Sequence, residues 1–232
     1  MHISSSTMQL FAVLLWAVLG LCAGQKPCCT PDQWEGTTQE LQGFLVDDKL
    51  GTVYGTVEVS YDFTNQKLAL AENLNETGSG NTKLKVIQDY KKGTQYAIQG
   101  NSCMEFALKG SMRKQCIPDN ATHIGTFSFG GMAPDGLECD AFMTTVAGMD
   151  NVYAISDMTR DGCYPVTQVS VNLMREHSTM TTQVFTDVTP GIKDPSIFTP
   201  PVPPCDKVML EDTTELGSDF LKRVRRSFEQ FI

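Results

Sequence analysis

The sequence is short of histidine, of positive charge and of long apolar runs, and each shortage closes off a class of function. Only three histidines are present, one of them at position 2, so a histidine-based active site has only His123 and His177 to draw on. None of the eight cysteines forms a Cys-x-x-Cys pair, the spacing on which zinc sites are commonly built. There is no Gly-x-Ser-x-Gly elbow, no His-Glu-x-x-His and no phosphate loop, so the usual signatures of serine hydrolases, zinc peptidases and nucleotide enzymes are missing. No catalytic residue is assigned, and the chain reads as a non-enzyme. Asp and Glu outnumber Lys and Arg by 27 to 18, for a net charge of −9. Nucleic acid and anionic membranes call for a cationic face, so neither is the expected partner.

What is present suits a globular β protein. Across 232 residues, 41% are hydrophobic and 19% charged, enough apolar material for a core and too little charge for a disordered chain. The longest apolar run, Leu10 to Leu21, is about a dozen residues, right for the h-region of a leader and too short for a bilayer of ~30 Å. Cleavage after Ala23 or Gly24 makes residues 1–24 a signal peptide, with no transmembrane segment after it. Losing Cys22 with the leader leaves seven of the eight cysteines. In a secretory compartment these form disulfides, and the odd count leaves one thiol free or shared between two chains. Cys28 and Cys29 are adjacent and take different partners, because a bond between neighbours is strained. Two sequons, at Asn75 and Asn120, fit the same route as glycosylation sites.

Residues 25–205 read as one β domain. The clearest alternation places Val53, Gly55, Val57, Val59, Tyr61 and Phe63 on one face, with Thr52, Tyr54, Thr56, Glu58, Ser60 and Asp62 on the other. Strand-like segments follow at 67–72, 83–90, 95–98, 124–129, 138–146, 151–156, 166–173 and 181–188, separated by turn clusters. Only 102–109 hints at a helix. Many short antiparallel strands in one body suggest a sandwich or an open barrel. The Pro-rich stretch 189–205 is expected to be extended. The tail, 206–232, carries Leu216, Phe220, Leu221, Val224, Phe228, Phe231 and Ile232 at helical spacing among Lys222, Arg223, Arg225 and Arg226. It reads as a short amphipathic C-terminal helix, lying free or docked on the body. The stretch Asp157-Met-Thr-Arg-Asp161-Gly162 copies three positions of a calcium-binding EF-hand loop but lacks the bidentate Glu, its twelfth position being Gln168, and reads as a turn.

Several segments, taken in order, resemble the ependymin family. They are Pro27-Cys28-Cys29-Thr30-Pro31-Asp32-Gln33-Trp34-Glu35-Gly36, Ser60-Tyr61-Asp62, Ile117-Pro118-Asp119-Asn120-Ala121-Thr122, Cys163-Tyr164-Pro165-Val166, and Asp194-Pro195-Ser196-Ile197-Phe198-Thr199-Pro200-Pro201 before Cys205. The resemblance implies a mainly β fold in which two curved antiparallel sheets form a half-open barrel around a deep apolar cleft, similar to bacterial lipoprotein carriers. It implies an extracellular or lysosomal glycoprotein that binds lipid or another hydrophobic small molecule. Members are also linked to calcium, to adhesion to the extracellular matrix and to homodimers, so the competing reading is an acidic matrix glycoprotein acting through calcium and its surface. No cofactor is required; calcium is an expected ion without assigned ligands. Carried onto this chain, the family pairs Cys28 with Cys163 and Cys103 with Cys205. A third bridge, Cys116 to Cys139, would leave Cys29 free or available to a second subunit. The residues expected to line the cleft are Val53, Val57, Val59, Tyr61, Phe63, Phe127, Phe129, Phe142, Val169, Val171, Leu173 and Val184, with Phe185. The same alternation also suits a filled core.

Overall fold

A computed structural model describes residues 27–46, 48–132, 134–146, 149–173, 177–202 and 205–207. The expected leader and nearly all of the tail, including its expected helix, lie outside these residues. The alternation of Val53 to Tyr61 builds a long strand, β2 (Lys49–Asp62), in which Val53, Val57, Val59 and Tyr61 of the apolar face are buried, joined at its end by Ser60 and Asp62 of the other face. It is flanked by β1 (Gln33–Val46) and β3 (Lys67–Glu76), with β4 (Gly80–Asp89), β5 (Thr94–Gln99) and β6 (Ser102–Ala107) beyond β3. The hinted helix at 102–109 is therefore a strand, pairing Met104 with Ala97 and Phe106 with Gln95. The remaining strands are β7 (Thr122–Phe129), β8 (Leu137–Val146), β9 (Met149–Thr159), β10 (Pro165–Leu173), β11 (His177–Pro190) and a short β12 (Asp206–Lys207).

Turn chemistry sets the hairpins. The Asp62 carboxylate accepts the Asn65 backbone N–H and side-chain amide, both at 2.8 Å, at the β2–β3 turn. Asp89 accepts the Lys92 N–H at 3.0 Å at the β4–β5 turn, before Gly93 at φ +64°. Such carboxylates close the turn with their own side chain.

The expected two sheets are one. The order is β12-β6-β5-β4-β3-β2-β1-β11-β10-β9-β8-β7, because β1 is hydrogen-bonded along its length to β2 on one side and to β11 on the other. All strand pairs are antiparallel except β12 with β6. The sheet does not close into a barrel.

Register assigns the faces. Trp34, Thr38, Glu40 and Gln42 of β1 stand opposite Tyr61, Val57, Gly55 and Val53, and Tyr61 and Val59 stand opposite Leu68 and Leu70. This inner face holds the main core, in which Trp34, Val57, Val59, Tyr61, Leu70 and Val86 are almost wholly buried. The outer face of β3–β5 is covered by the Pro-rich segment: Phe198, Ile192 and Ile197 pack on Ala69, Ile87, Tyr96 and Ile98. That segment leaves β11 at Pro190 and makes a 3-10 turn, Pro195–Phe198, rather than running extended throughout. Asp194 caps the turn by accepting the Ser196 N–H at 2.9 Å. The Cys103–Cys205 disulfide then anchors its far end.

The connection from β6 to β7 crosses the molecule. Nine strands lie between them, ten spacings or ~48 Å along the sheet. The linking segment 108–121 would reach only ~50 Å fully extended, and it turns at Pro118–Ala121. It makes the crossing because the sheet curls, and it runs as a strap over the inner face, with Met112 in the main core.

A cleft beneath the strap

Hydrogen bonds and a disulfide hold the strap. The Tyr61 hydroxyl accepts the Gln115 N–H at 3.1 Å and lies 3.4 Å from the Arg113 carbonyl, to which it donates. Thr30 donates its backbone N–H to the Gln115 carbonyl at 2.9 Å. A disulfide joins Cys116 to Cys29. A second, Cys28–Cys163, ties the adjacent N-terminal residue to the turn after β9. Cys116 therefore does not pair with Cys139; the two-stranded bridge between Cys29 and Cys116 aligns those two residues instead. Cys139 is the free thiol among the described residues and is buried on β8. Its pKa is pushed up by burial first, then by Asp157 and Asp140.

Between the strap and the inner face of β8–β11 lies a cleft of about 460 Å³, within the usual range for small-molecule sites. Arg113 to Pro118 form the strap wall. Thr144, Ala154, Ser156 and Met158 of β8 and β9 form the opposite wall, with Pro165, Thr167 and Gln168 of β10. Thr30, Trp34 and Phe185 complete the lining. Among the described residues no carboxylate lines it, in a chain that carries 27. Lys114 is held by Asp32 at 2.6 Å, whereas Arg113 has no ion-pair partner among the described residues.

Trp34 is set by packing. Its ring lies 6.0 Å from Tyr61 and meets Phe185 edge-on at 6.2 Å. The residue is 1% exposed, and among the described residues its Nε1 has no hydrogen-bond partner; nor has the Thr30 hydroxyl, at 4% exposure. A buried polar atom left unpaired costs about 1–3 kcal/mol, so two on one cleft wall are a strained arrangement.

None of the residues expected from sequence to form the cleft lines this one except Phe185. Val53, Val57, Val59 and Tyr61 are core, and Phe63 is half-buried and stacked on Tyr61. Phe142 packs behind the cleft with Ile117, Met158 and Cys163. Val169 and Val171 pair with Thr182 and Met180, and Val184 pairs with Gln39. All three face outward, since it is Gln168, Ser170, Thr181 and Gln183 that share the face of Gln42 and Glu40. Leu173 also faces outward, 52% exposed. It lines a second, shallow groove at the strand tips with Phe44, Leu45, Leu50 and Met180. Phe127 and Phe129 stand opposite Cys139 and Leu137, on the face away from Phe142, and are partly exposed. Trp34, Thr30 and the strap escaped the sequence reading. The signal available was the Gln-Trp-Glu-Gly segment and the Arg113-Lys114 pair, neither of which has a strand period.

The other candidate sites are structural. His123 Nε2 lies 3.2 Å from Asp140, which also receives Arg160 Nε at 3.4 Å and the Thr126 hydroxyl. Asp157 accepts the Thr167 hydroxyl, and the Thr159 hydroxyl donates to the Asp161 carbonyl at 2.6 Å, so the EF-hand-like stretch is a strand end and its turn. Among the described residues, no group of three acidic, His or Cys side chains could hold a metal. Asn75 lies half-buried on the outer face of β3, and Asn120 is exposed in the turn before β7. No described helix is long and apolar enough to cross a membrane.

Comparison with known proteins bears on this architecture. The Ependymin family model matches residues 78–205. Mammalian ependymin-related protein 1 of Mus musculus is 29% identical over 202 residues, covering 84% of this chain and 86% of that protein. Ependymin-related protein 2 of Haliotis asinina is 27% identical over 201 residues, covering 82% and 96%. Among solved structures, an uncharacterized conserved protein from Thermus thermophilus matches 76% of this chain and 90% of its own, at 9% identity and a TM-score of 0.44.

Proposed function

The chain belongs to the ependymin family, and from that premise we propose that it is a secreted, disulfide-bonded glycoprotein that binds a lipid or another hydrophobic small molecule in the cleft beneath the strap. The observation that carries the reading is the cleft itself. It has about 460 Å³ of space on the inner face of an unclosed sheet, with Trp34, Ile117, Ala154, Met158 and Phe185 among its apolar lining and Thr, Ser, Gln, Arg and Lys side chains interspersed. A concave space of that size with an aromatic and aliphatic part is what a small-molecule site needs and what a packed core lacks. Three disulfides suit an oxidising compartment, and the exposed Asn120 sequon suits passage through the secretory route.

The test is native mass spectrometry of the protein secreted from eukaryotic cells, followed by solvent extraction. A stoichiometric adduct that leaves on denaturation and is identified as a lipid supports the reading. An empty protein that also fails to take up a fluorescent fatty acid or phospholipid contradicts it.

A further inference from the structure

The edge of the sheet at β7 is apolar and lacks the usual protection. β7 is the last strand in the sheet order, so one side of its backbone has no partner strand among the described residues. Edge strands are commonly blunted by Lys, Pro or inward-pointing charge, or covered by a helix or loop. Thr122–Phe129 contains no Lys, Arg, Pro, Asp or Glu. Its register shift, between His123 and Gly125, lies at the far end from Phe129. Beside this edge Ile124, Phe127, Phe129, Met132 and Leu137 are 37% to 87% exposed. An apolar patch on an open edge needs a cover.

The sequence of residues 208–232, which lie outside the described residues, fits that need. At about 100° per residue, Phe220, Leu221, Val224, Phe228, Phe231 and Ile232 fall within an arc of about 120°, as wide as the buried stripe of a packed helix. Lys222, Arg223, Arg225 and Arg226 all fall outside that arc. From Gln115 to Thr159, the stretch that contains β7, β8 and β9, there are six carboxylates and no Lys or Arg. Asp119 and Asp135 are exposed in the turns at the two ends of β7. The tail and this side of the molecule are therefore complementary in charge as well as in polarity.

Register brings the two together. β12 runs parallel to β6, with Lys207 beside Glu105. From Glu105 the ladder passes through Tyr96, Ile87, Ala69 and Ser60 to Glu35, so the tail leaves at the Glu35 end of β1. From Gln39 the ladder passes the other way through Val184, Thr167, Asp157 and Ala141 to Gly125. Phe127 and Phe129 lie beyond Gly125, toward the same Glu35 end. The groove at Leu45, Leu50, Leu173 and Met180 lies at the opposite strand ends. The strap already makes the crossing from β6 to β7 and spends part of its length on the turn at Pro118–Ala121. Residues 208–219 would reach about 40 Å extended, enough for a similar course. A helix over 220–232, about 20 Å long, then fits along a strand of about 27 Å.

We propose that residues 220–232 form an amphipathic helix that lies along β7 of its own chain, with the apolar arc on Phe127, Phe129 and Leu137 and the cations toward the carboxylates of β7 to β9. The helix covers the open edge and keeps β7 from pairing with another chain. This is independent of what the cleft binds.

The test uses the full secreted chain, its intact mass confirmed through to Ile232. Limited trypsin cuts the tail at its four cations, and the rate is read by mass spectrometry. Val224→Asp in the arc and Phe129→Asp on the edge are each expected to raise that rate at least tenfold. Leu50→Asp, at an 82% exposed position in the tip groove, is expected to leave it unchanged. A benzoylphenylalanine placed at position 228 maps the contact and leaves the edge itself untouched. Its adducts are expected within one chain, between Thr122 and Leu137. No adduct on the body, or a cleavage rate that neither Val224→Asp nor Phe129→Asp moves, means a free tail and overturns the proposal. Adducts at Leu50 or Met180 place the tail in the tip groove and overturn it. Adducts that link two chains make this edge an interface between copies and overturn it as well.

Discussion

Tyr61 shows how one residue joins the sheet to the strap. Its ring lies in the core and its hydroxyl bridges Gln115 and Arg113. Tyr61→Phe keeps the ring but leaves the Gln115 N–H without its acceptor. The expected cost is about 1–3 kcal/mol, read by denaturant unfolding, with weaker ligand binding as the strap loosens. Burial raises the phenol pKa of Tyr61, partly offset by the Gln115 N–H, and burial also raises those of Tyr90 and Tyr96. The folded state therefore holds these protons more tightly than the unfolded state. Their contribution to stability is complete below pH 10, the ordinary phenol value, and falls as the pH rises through the folded values. Absorbance at 295 nm should show a class of phenols ionising late, with unfolding free energy declining over the same range; phenols that all titrate together near pH 10 would contradict this. Cys139 gives a separate test. Buried and with a raised pKa, it should resist iodoacetamide in the native protein and react on unfolding. Alkylation at native pH without unfolding would place that thiol at the surface.

At the scale of elements, legibility tracked the hydrophobic period. β2 was readable because Val53, Val57, Val59 and Tyr61 face one way and Thr52, Tyr54, Thr56 and Glu58 the other. β1 was not, because its inner positions include Thr38, Glu40 and Gln42, so neither face reads as apolar. Those side chains find partners across the sheet: Gln42 donates to Thr181 at 2.9 Å and Gln183 donates to Glu40 at 3.2 Å. In β10 and β11 the period was visible but its sense was not. Val169, Val171 and Val184 lie outward because pairing with β1 puts Gln183 and Thr181 inward, and a one-residue change of register reverses every face. The strap had no period at all, and its position follows from topology: β6 and β7 lie near opposite edges of the sheet. Its disulfide is the accessible one, since Cys29 and Cys116 are both exposed whereas Cys163 and Cys205 are buried. Access controls thiol exchange, so mild reduction and alkylation should label Cys29 and Cys116 first. The same treatment should speed release of bound ligand. Labelling first at Cys103 and Cys205 would contradict this account of the strap.

At the scale of the molecule, the three disulfides share one task. Each fastens a segment lying off the sheet – the N-terminal residues, the strap, the Pro-rich segment – to a strand, to a turn between strands or to each other, across sequence separations of 135, 87 and 102 residues. Loops of that length correspond to about 4–5 kcal/mol each on the chain-entropy account. The sheet leaves its edges open, and two groups of apolar side chains lie outside the cleft: Ile124, Phe127, Phe129 and Leu137 beside the β7 edge, and Leu45, Leu50, Leu173 and Met180 at the strand tips. An apolar ligand thus has alternatives to the cleft, and its location is the point on which the account stands or falls. The decisive measurement is photocrosslinking with a diazirine-bearing long-chain fatty acid on the intact secreted protein, mapped by peptide mass spectrometry. The account predicts adducts on the strap between Arg113 and Pro118 and on β9 around Ala154 to Met158, competed away by unlabelled oleate. Adducts confined to the tip groove at Leu45, Leu50, Leu173 and Met180, or to the β7 edge, would contradict it.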